Sequence, residues 1–262
     1  MGKGKIAAIV AVVVIAVLLA VGLVLKGRGG GEAPPPAEVA ATPVPEPTAT
    51  PSPFSGVSLE GSDEAVREAA AGLAENPAWA RWLAHEDLVR RFVASVNLVA
   101  KGRSPRSQVA FLRPKKRFRV VERDGEIVPD PASYRRYDTV VAVLTSIDPA
   151  RAAALYREIH PLLDEAYREI SRPGAQFDAL LEKAIRHLLE TPIPETAPAL
   201  EEKVVTYRYA DPRLEGLSDA QRQLLRLGPE NARKVQAWLR AFLEAAQAPG
   251  AAPAPAPAPA AG

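Results

Sequence analysis

The feature that most limits what this chain can fold into is an uncharged apolar run at residues 6–25, rich in valine, isoleucine, leucine and alanine. As a helix, a run of this length crosses a bilayer core about 30 Å thick. A cleaved signal peptide has a shorter apolar region, of about 7–15 residues, and a small-residue cleavage site. The end of this run, Leu23-Val24-Leu25-Lys26, offers no such site. We therefore predict an uncleaved transmembrane signal anchor.

The basic residues around this run bear on its orientation. Lys3 and Lys5 precede it and Lys26 and Arg28 follow it, so the comparison of positive charges on the two sides is a tie. The free amine of the short N-tail, residues 1–5, favours the N-terminus inside. We expect the bulk of this single-pass protein to lie outside the cytoplasm.

Glycine- and proline-rich segments flank the part of the chain that is patterned for folding. Residues 26–56 include three consecutive glycines and many prolines, and residues 248–262 are mainly alanine and proline. Segments of this composition cannot bury a core and tend toward extended conformations. We predict a disordered linker at residues 26–56, a globular domain at residues 57–247 and a disordered tail at residues 248–262.

Capping signals and helical spacing of apolar residues dominate residues 57–247. An N-cap residue followed by proline, the pattern that opens a helix, occurs at Asn76-Pro77, Asp130-Pro131 and Asp148-Pro149. The last two signals predict helices to about residues 147 and 170, the second of them kinked or split by Pro161. Ser218 and Gln221 form a capping box, and Gly228 ends the helix that this box opens.

Two stretches predict β-structure. Asp124-Gly125 is typical of a hairpin turn between short strands at residues 117–122 and 126–128. Residues 203–209 alternate as one strand. The fold class predicted is mainly α (α+β): a transmembrane helix, a linker, and then a mostly helical domain with a small β-hairpin or sheet.

Few side chains form a recognisable chemical group. Cysteine is absent, which excludes disulfides and thiol nucleophiles. His160 and Asp164 have helical i, i+4 spacing, but a metal site needs more ligands that converge on one point. Motifs for a serine nucleophile or a phosphate-binding loop are missing from residues 57–247. We predict no metal site, no cofactor and no catalytic residues, and we favour a non-enzymatic protein.

Tyrosines are the other candidates for a site. Tyr156 and Tyr167 are eleven residues apart, so they share a helix face if the kink at Pro161 is mild. An aromatic stripe of this kind is typical of a core whose hydroxyl groups reach the surface. The alternative is a ligand-binding pocket formed by Tyr134, Tyr137, Tyr156, His160 and Tyr167.

The stretch FLRPKKRFRVVERDGE, residues 111–126, contains a basic run in a chain whose formal net charge is only +2. Its basic side chains are Arg113, Lys115, Lys116, Arg117 and Arg119. Phe111 and Phe118 are interpreted as core of the hairpin. The run is either a solvated loop and edge strand or a surface that binds lipid headgroups or an acidic partner protein. An external domain rarely meets nucleic acid, so the sequence disfavours that ligand.

Six ordered blocks resemble a known family. They are DLVRRFVASVNL (residues 87–98), FRVVERDGEIVPDPASYRRYD (118–138), ALYREIHPLLDEAYREI (154–170), HLLETP (187–192), YRYADPRLEGLS (207–218) and LLRLGPEN (224–231). The stretch from about residue 59 to residue 245 resembles the bacterial domain of unknown function 3014. The resemblance implies an uncharacterised membrane-anchored envelope protein and supplies no catalytic residues.

Two functions follow as hypotheses. The first is a binding or scaffold domain, tethered to the bacterial inner membrane by residues 6–25 and placed in the periplasm, with an envelope protein or an anionic surface as partner. The alternative is an envelope hydrolase or modifying enzyme without a recognisable motif. A pocket around Tyr156, His160 and Asp164 would favour the enzyme, and a flat or grooved surface would favour binding.

Overall fold

The structure is a computed structural model that describes residues 54, 56–204 and 206–248. The predicted anchor at residues 6–25 and almost all of the predicted linker and tail lie outside the described residues. Among the described residues, no helix combines the length and the apolar character that crossing a membrane requires. The helices are α1 (Asp63–Ala70), α2 (Pro77–Leu83), α3 (Leu88–Ala100), α4 (Pro131–Arg135), α5 (Asp138–Ser146), α6 (Pro149–Arg168), α7 (Phe177–Leu189), α8 (Pro212–Glu215), α9 (Asp219–Leu225) and α10 (Pro229–Gln247).

Helix starts follow the capping signals in the sequence. The side chains of Asn76, Asp130 and Asp148 each accept a hydrogen bond from a backbone N–H of the first helical turn. At α9 the capping box is complete, because Ser218 Oγ accepts from Gln221 N (3.2 Å) and Gln221 Oε1 accepts from Ser218 N (3.2 Å). These predictions are confirmed.

The main core lies between the longer helices. Helix α10 packs against α5, α6 and α7, and α3 packs against α6 and α7. The apolar residues of α6 recur every three or four positions, which places one face of the helix in this core. Both buried indole N–H groups are satisfied: Trp79 donates to Ala70 O and Trp238 donates to Ile147 O, each at 2.8 Å.

One helix prediction was wrong, and for a second the structure excludes one of the two alternatives. The helix expected at residues 131–147 is two helices, because the chain turns at Arg136 and Tyr137 becomes the N-cap of α5. Pro161 does not split α6, which runs unbroken from Pro149 to Arg168. Proline removes one backbone hydrogen bond, and the packing of α6 against α3 and α10 holds the helix together around it.

A four-stranded antiparallel sheet completes the domain, in the order β1 (Val120–Arg123), β2 (Glu126–Pro129), β3 (Leu200–Glu202) and β4 (Tyr207–Tyr209). The hairpin turn at Asp124-Gly125 is confirmed, and both residues have positive φ, as a type I′ turn requires. The strand predicted at residues 203–209 is confirmed only for its last part, β4. Its first part forms the turn between β3 and β4, where Val204 is fully exposed.

One face of the sheet has its own small apolar cluster. Leu200, Tyr209, Leu214 and Leu225 are buried there, and Phe118 and Ile127 are among the partly buried residues that pack against them. The two hairpins meet at one pair of residues, Ile127 and Leu200. The domain is therefore mainly helical with a small sheet at its side, in agreement with the predicted α+β class.

Candidate functional site

The basic run lies in the segment that leads into β1, and Arg136 holds its backbone in place. Arg136 donates from Nη1 to the carbonyl of Lys116 (3.0 Å) and from Nε to the carbonyl of Ser133 (2.7 Å). Its guanidinium lies over the ring of Phe118, 5.5 Å from the centroid. Burial lowers the pKa of Arg136 from its ordinary value. Arg136 is thus a structural cation rather than part of the exposed charge.

A second clamp fixes the start of the strand. The hydroxyl of Ser133, on α4, accepts from Arg119 N (2.7 Å) and donates to Arg119 O (2.8 Å). Ser133 is almost fully buried, so both bonds are shielded from water. Asp130 N also donates to Arg119 O, at 3.0 Å. Ser133 could not be found from sequence spacing, because its contact with Arg119 exists only once α4 folds back on the hairpin.

The side chains of the run face solvent. All five predicted residues are exposed: Arg113, Lys115, Lys116, Arg117 and Arg119. Arg119 lies 3.8 Å from the carboxylate of Asp130. The other four form no ion pair with any described residue. The result is a cluster of uncompensated positive charge on a backbone that two clamps hold.

The two phenylalanines that flank the run have different environments. Phe118 packs against the sheet cluster, with its ring centroid 6.0 Å from that of Tyr207, as the hairpin-core interpretation expects. Phe111 instead packs against the main helical core and stacks on His85, with centroids 4.1 Å apart. The interpretation of Phe111 as hairpin core was therefore wrong.

The structure places the five residues of the predicted tyrosine pocket at two separate locations. Tyr134 and Tyr137 lie at α4 and at the start of α5. The other three lie on α6: Tyr156, His160 and Tyr167. The Tyr156 and His160 rings meet edge to face at 5.7 Å, whereas Tyr167 packs on Phe177 of α7 at 5.8 Å.

The tyrosines at the first location have unusual surroundings. Tyr134 lies against Gly228, and its buried hydroxyl has no hydrogen-bond partner among the described residues. Burial raises the pKa of Tyr134 above its ordinary value. Burial also raises the pKa of Tyr209, which is not among the predicted site residues, to about 12. Both side chains remain neutral at physiological pH and serve as packing groups between α4, β4 and α10.

At the second location, His160 bridges two carboxylates. Its Nδ1 lies 3.2 Å from Asp164 Oδ2 on the same helix, and its Nε2 lies 3.0 Å from Asp178 Oδ1 in the first turn of α7. Tyr156 donates its hydroxyl to the same oxygen of Asp178. The hydrogen bond that protonated His160 donates to Asp178 raises the pKa of His160, and the same bond lowers the pKa of Asp178. Burial raises the pKa of Tyr156.

This cluster joins α6 to α7. Both ring nitrogens of His160 and the hydroxyl of Tyr156 face a carboxylate oxygen of the cluster, and the two carboxylates approach different ring nitrogens of His160 instead of one common point. Across residues 56–204 and 206–248, no group of three or more histidine or acidic side chains is arranged to hold a metal ion. Asp178 was missed because it lies in another helix, beyond the reach of i, i+4 spacing. The cluster has the properties of a structural tether.

A serine–histidine pair lies on the other side of α7. His187 Nε2 is 2.7 Å from Ser218 Oγ, and burial lowers the pKa of His187, so the ring is neutral and able to accept from the hydroxyl. However, Ser218 caps α9, and a Cβ on Gly102 would lie only 3.0 Å from the Ser218 Cβ. Gln221 also donates to the carbonyl of His187 (3.2 Å). Gly102 thus lies directly against this serine, and the pair joins α7, α9 and the end of α3.

A shallow cleft lies between the starts of α1 and α3, far in sequence from the tyrosines. It is lined in part by Ser62, Asp63, Asp87 and Arg90. Asp63 accepts from the backbone N–H of Asp87 (2.7 Å) and of Leu88 (2.9 Å), so its carboxylate caps α3. Arg90 is bonded twice to Glu169, at 2.9 Å each. The polar groups of this cleft serve the fold.

The fold and these sites together define a class: a mainly helical domain with a small antiparallel sheet, whose polar clusters join helices and whose exposed charge lies at a sheet edge. The chain belongs to the family described as "Protein of unknown function (DUF3014)", whose family model matches residues 88–243. The match begins at the first residue of α3 and ends within α10. No curated protein matches the chain, and no solved structure matches it.

Proposed function

We propose that this protein is a membrane-anchored, non-enzymatic binding protein of the bacterial cell envelope. In this proposal residues 6–25 anchor it in the inner membrane, residues 26–56 act as a spacer, and the helical domain lies in the periplasm. The domain binds an anionic partner through the basic loop, which we define as residues 113–119. The length and apolar character of residues 6–25 support the anchor.

The observation that carries the binding function is the uncompensated charge of the basic loop. Arg113, Lys115, Lys116 and Arg117 are exposed and form no ion pair with a described residue, while Arg136 and Ser133 hold the backbone beneath them. A held backbone loses little conformational entropy when the loop binds, which favours affinity. The side chains that an enzyme would use, such as His160 and Ser218, are instead bonded to other parts of the fold.

The test is to change Lys115, Lys116 and Arg117 together to Ser in residues 57–247, without the proposed anchor, which would itself carry the protein into membrane fractions. Each basic residue near an anionic surface contributes about 1 kcal/mol, so the variant should bind about a hundredfold more weakly. The measurement is cosedimentation of the domain with envelope fractions at low and moderate salt, since the attraction is screened by salt. Thermal stability should stay within about 0.5 kcal/mol, because exposed charges contribute little to folding.

The chain offers a matched control. Arg172, Lys183 and Arg240 are also exposed, lie outside the sheet, and carry the same total charge. Changing these three to Ser should leave binding unchanged if the basic loop is the contact. Equal binding by wild type and the Lys115/Lys116/Arg117 variant at both salt concentrations would show that the loop is merely solvated.

The location needs its own test. A reporter that is active only outside the cytoplasm should be active when fused after Gln247, because the short lysine-bearing N-tail favours the N-terminus inside. Activity of a cytoplasm-only reporter at the same position would contradict the periplasmic placement and would restore nucleic acid as a ligand for the basic loop.

A further inference from the structure

Strand β1 leaves one edge of the sheet open. The sheet order is β1-β2-β3-β4, so among the described residues no strand lies beyond β1. An open edge presents backbone N–H and C=O groups that an additional extended segment can pair with. The basic loop leads directly into this edge, so charge and free backbone groups are adjacent.

The register identifies the backbone groups that point outward. Arg123 and Glu126 close the two-residue turn at Asp124-Gly125, and the closing pair of such a turn is a hydrogen-bonded pair. From this pair onward, the pairs of an antiparallel ladder alternate between non-bonded and hydrogen-bonded. At the other end of the hairpin, Asp130 N donates to Arg119 O (3.0 Å), in step with this alternation. The N–H and C=O groups of Val120 and Glu122 therefore point away from β2, toward the open edge.

The side chains along this edge divide it by charge. Arg117 and Arg119 lie at its beginning, next to the lysines of the basic loop. The hairpin tip carries the exposed acids Glu122, Asp124 and Glu126, with one exposed basic residue, Arg123, among them. Between these ends, Val121 is an exposed large hydrophobic residue, 36% accessible, on the same strand. A complementary segment is therefore acidic at the end beside the basic loop and apolar in its middle.

We propose that an extended, acidic segment of a partner protein adds to β1 as a fifth strand. Its backbone pairs with Val120 and Glu122, and its carboxylates lie beside the basic loop. This proposal rests on the proposed function and names the class of partner. Strand addition obtains affinity from backbone hydrogen bonds and specificity from side chains, and this edge supplies both. A lipid surface has no amide groups at strand spacing, so it uses only the charge.

The same charges disfavour parallel pairing with a second copy of this chain, because the basic loops of the two copies would then lie side by side. Antiparallel pairing of two copies would instead place the basic loop of one beside the acidic hairpin tip of the other. The oligomeric state of the chain separates this case from an acidic partner: a dimer that Glu122→Pro dissociates would overturn the partner proposal.

The probe is a fluorescent peptide of alternating valine and threonine that ends in three glutamates. Antiparallel addition places its C-terminal glutamates beside the basic loop. The control is the same peptide with every second amide N-methylated, which keeps its charge but removes the N–H groups needed on one edge. Binding to the full chain in a neutral detergent is followed by fluorescence anisotropy. We expect the methylated peptide to bind at least tenfold more weakly, and hydrogen exchange in residues 119–123 to slow when the unmodified peptide binds.

A pair of protein variants tests the edge itself. Glu122→Pro removes an outward N–H and none of the bonds between β1 and β2, since edge positions of this kind tolerate proline. Glu122→Ala removes the same carboxylate and keeps the N–H. We expect the proline variant to bind the peptide about tenfold more weakly than the alanine variant, the size expected for a lost hydrogen bond and its neighbours.

The outcomes separate this proposal from the proposed function. If both peptides bind equally and the Lys115/Lys116/Arg117 variant binds neither, the loop binds anions but strand addition is overturned. If Glu122→Pro and Glu122→Ala bind alike, the edge is not used and strand addition is again overturned. If only anionic vesicles bind, and Glu122→Pro leaves that binding unchanged, the partner is a lipid surface. If the triple variant binds the unmodified peptide as wild type does, the basic loop has no part and the proposed function fails with it.

Discussion

Replacing Gly228 by alanine should destabilise the domain more than almost any other glycine substitution. Gly228 lies between α9 and α10 with φ +88° and ψ 158°, a combination that residues with a side chain rarely adopt. A Cβ at this position would lie 2.5 Å from Tyr134 Cγ and 2.9 Å from both Cβ and Cδ1 of the same residue. The substitution therefore strains the backbone and collides with a ring at the same time.

The two effects can be sized separately. Backbone strain in this region costs about 1–3 kcal/mol, and forcing extra atoms into a packed site costs about 1–3 kcal/mol. The contact involves the root of the Tyr134 ring and its Cβ, so a rotation of the side chain does not remove it. We expect Gly228→Ala to reduce the free energy of unfolding by about 4 kcal/mol.

Gly61 is the matched control for the strain alone. Its φ is +80°, and a Cβ there would meet no atom within 4 Å. Gly61→Ala should cost about 1 kcal/mol. Urea denaturation of residues 57–247, followed by circular dichroism, measures both variants. Equal losses for Gly228→Ala and Gly61→Ala would refute the role assigned to the Tyr134 contact.

Three further predictions concern polar contacts. The hydrogen bond to Asp178 raises the pKa of His160, so the folded state holds this proton more tightly. The stabilisation is complete below the ordinary histidine pKa of about 6.5 and is lost as pH rises through the raised folded value. His160→Asn should therefore flatten the fall in stability as pH rises above about 6.5, measured by urea denaturation. Asp63→Ala should lower the free energy of unfolding by about 1 kcal/mol, because it removes the cap of α3. The neighbouring change Glu64→Ala should lower it little. If both variants are destabilised equally, Asp63 does not act as a cap. Gln236→Leu should lower the free energy of unfolding by about 2–3 kcal/mol in the same assay. The reason is that the Gln236 amide donates to the carbonyls of Leu188 (2.9 Å), Leu189 (3.2 Å) and Thr191 (3.0 Å). A loss below about 0.5 kcal/mol would show that water satisfies these carbonyls in place of the amide.

Local signals explain which parts of the fold were predictable. Helix starts such as Asn76-Pro77 and the turn at Asp124-Gly125 are encoded by residues adjacent in sequence, so propensity and capping chemistry suffice to find them. The strand predicted at residues 203–209 was too long, because this run is rich in β-branched and aromatic residues and has no glycine, asparagine or aspartate to mark a turn. The position of β3 beside β2 decides where the chain bends, and that is a tertiary effect.

The candidate sites show the same limit. The basic loop was visible as composition, and its exposure could be expected from its charge alone. The clamp between Ser133 and Arg119, the bridge from His160 to Asp178 and the pair of His187 and Ser218 each join residues of different elements. No spacing rule connects such residues, because their distance is set by how α4, α7 and α9 pack. The sequence therefore predicted the charged surface but not the polar contacts that join one element to another.

The single pair that joins the two hairpins, Ile127 with Leu200, has a consequence for how the chain folds during synthesis. Strand β2 leaves the ribosome well before β3, with α4, α5, α6 and α7 emerging in between. Until β3 arrives, the first hairpin exists as half a sheet with an open edge on each side. Joining β2 to β3 across so long a stretch of chain is slow, because the entropy cost of closing that loop precedes any gain from pairing. During this interval, the charged side chains around β1 protect the nascent chain from aggregation, since charged residues on an edge strand discourage pairing with neighbouring chains.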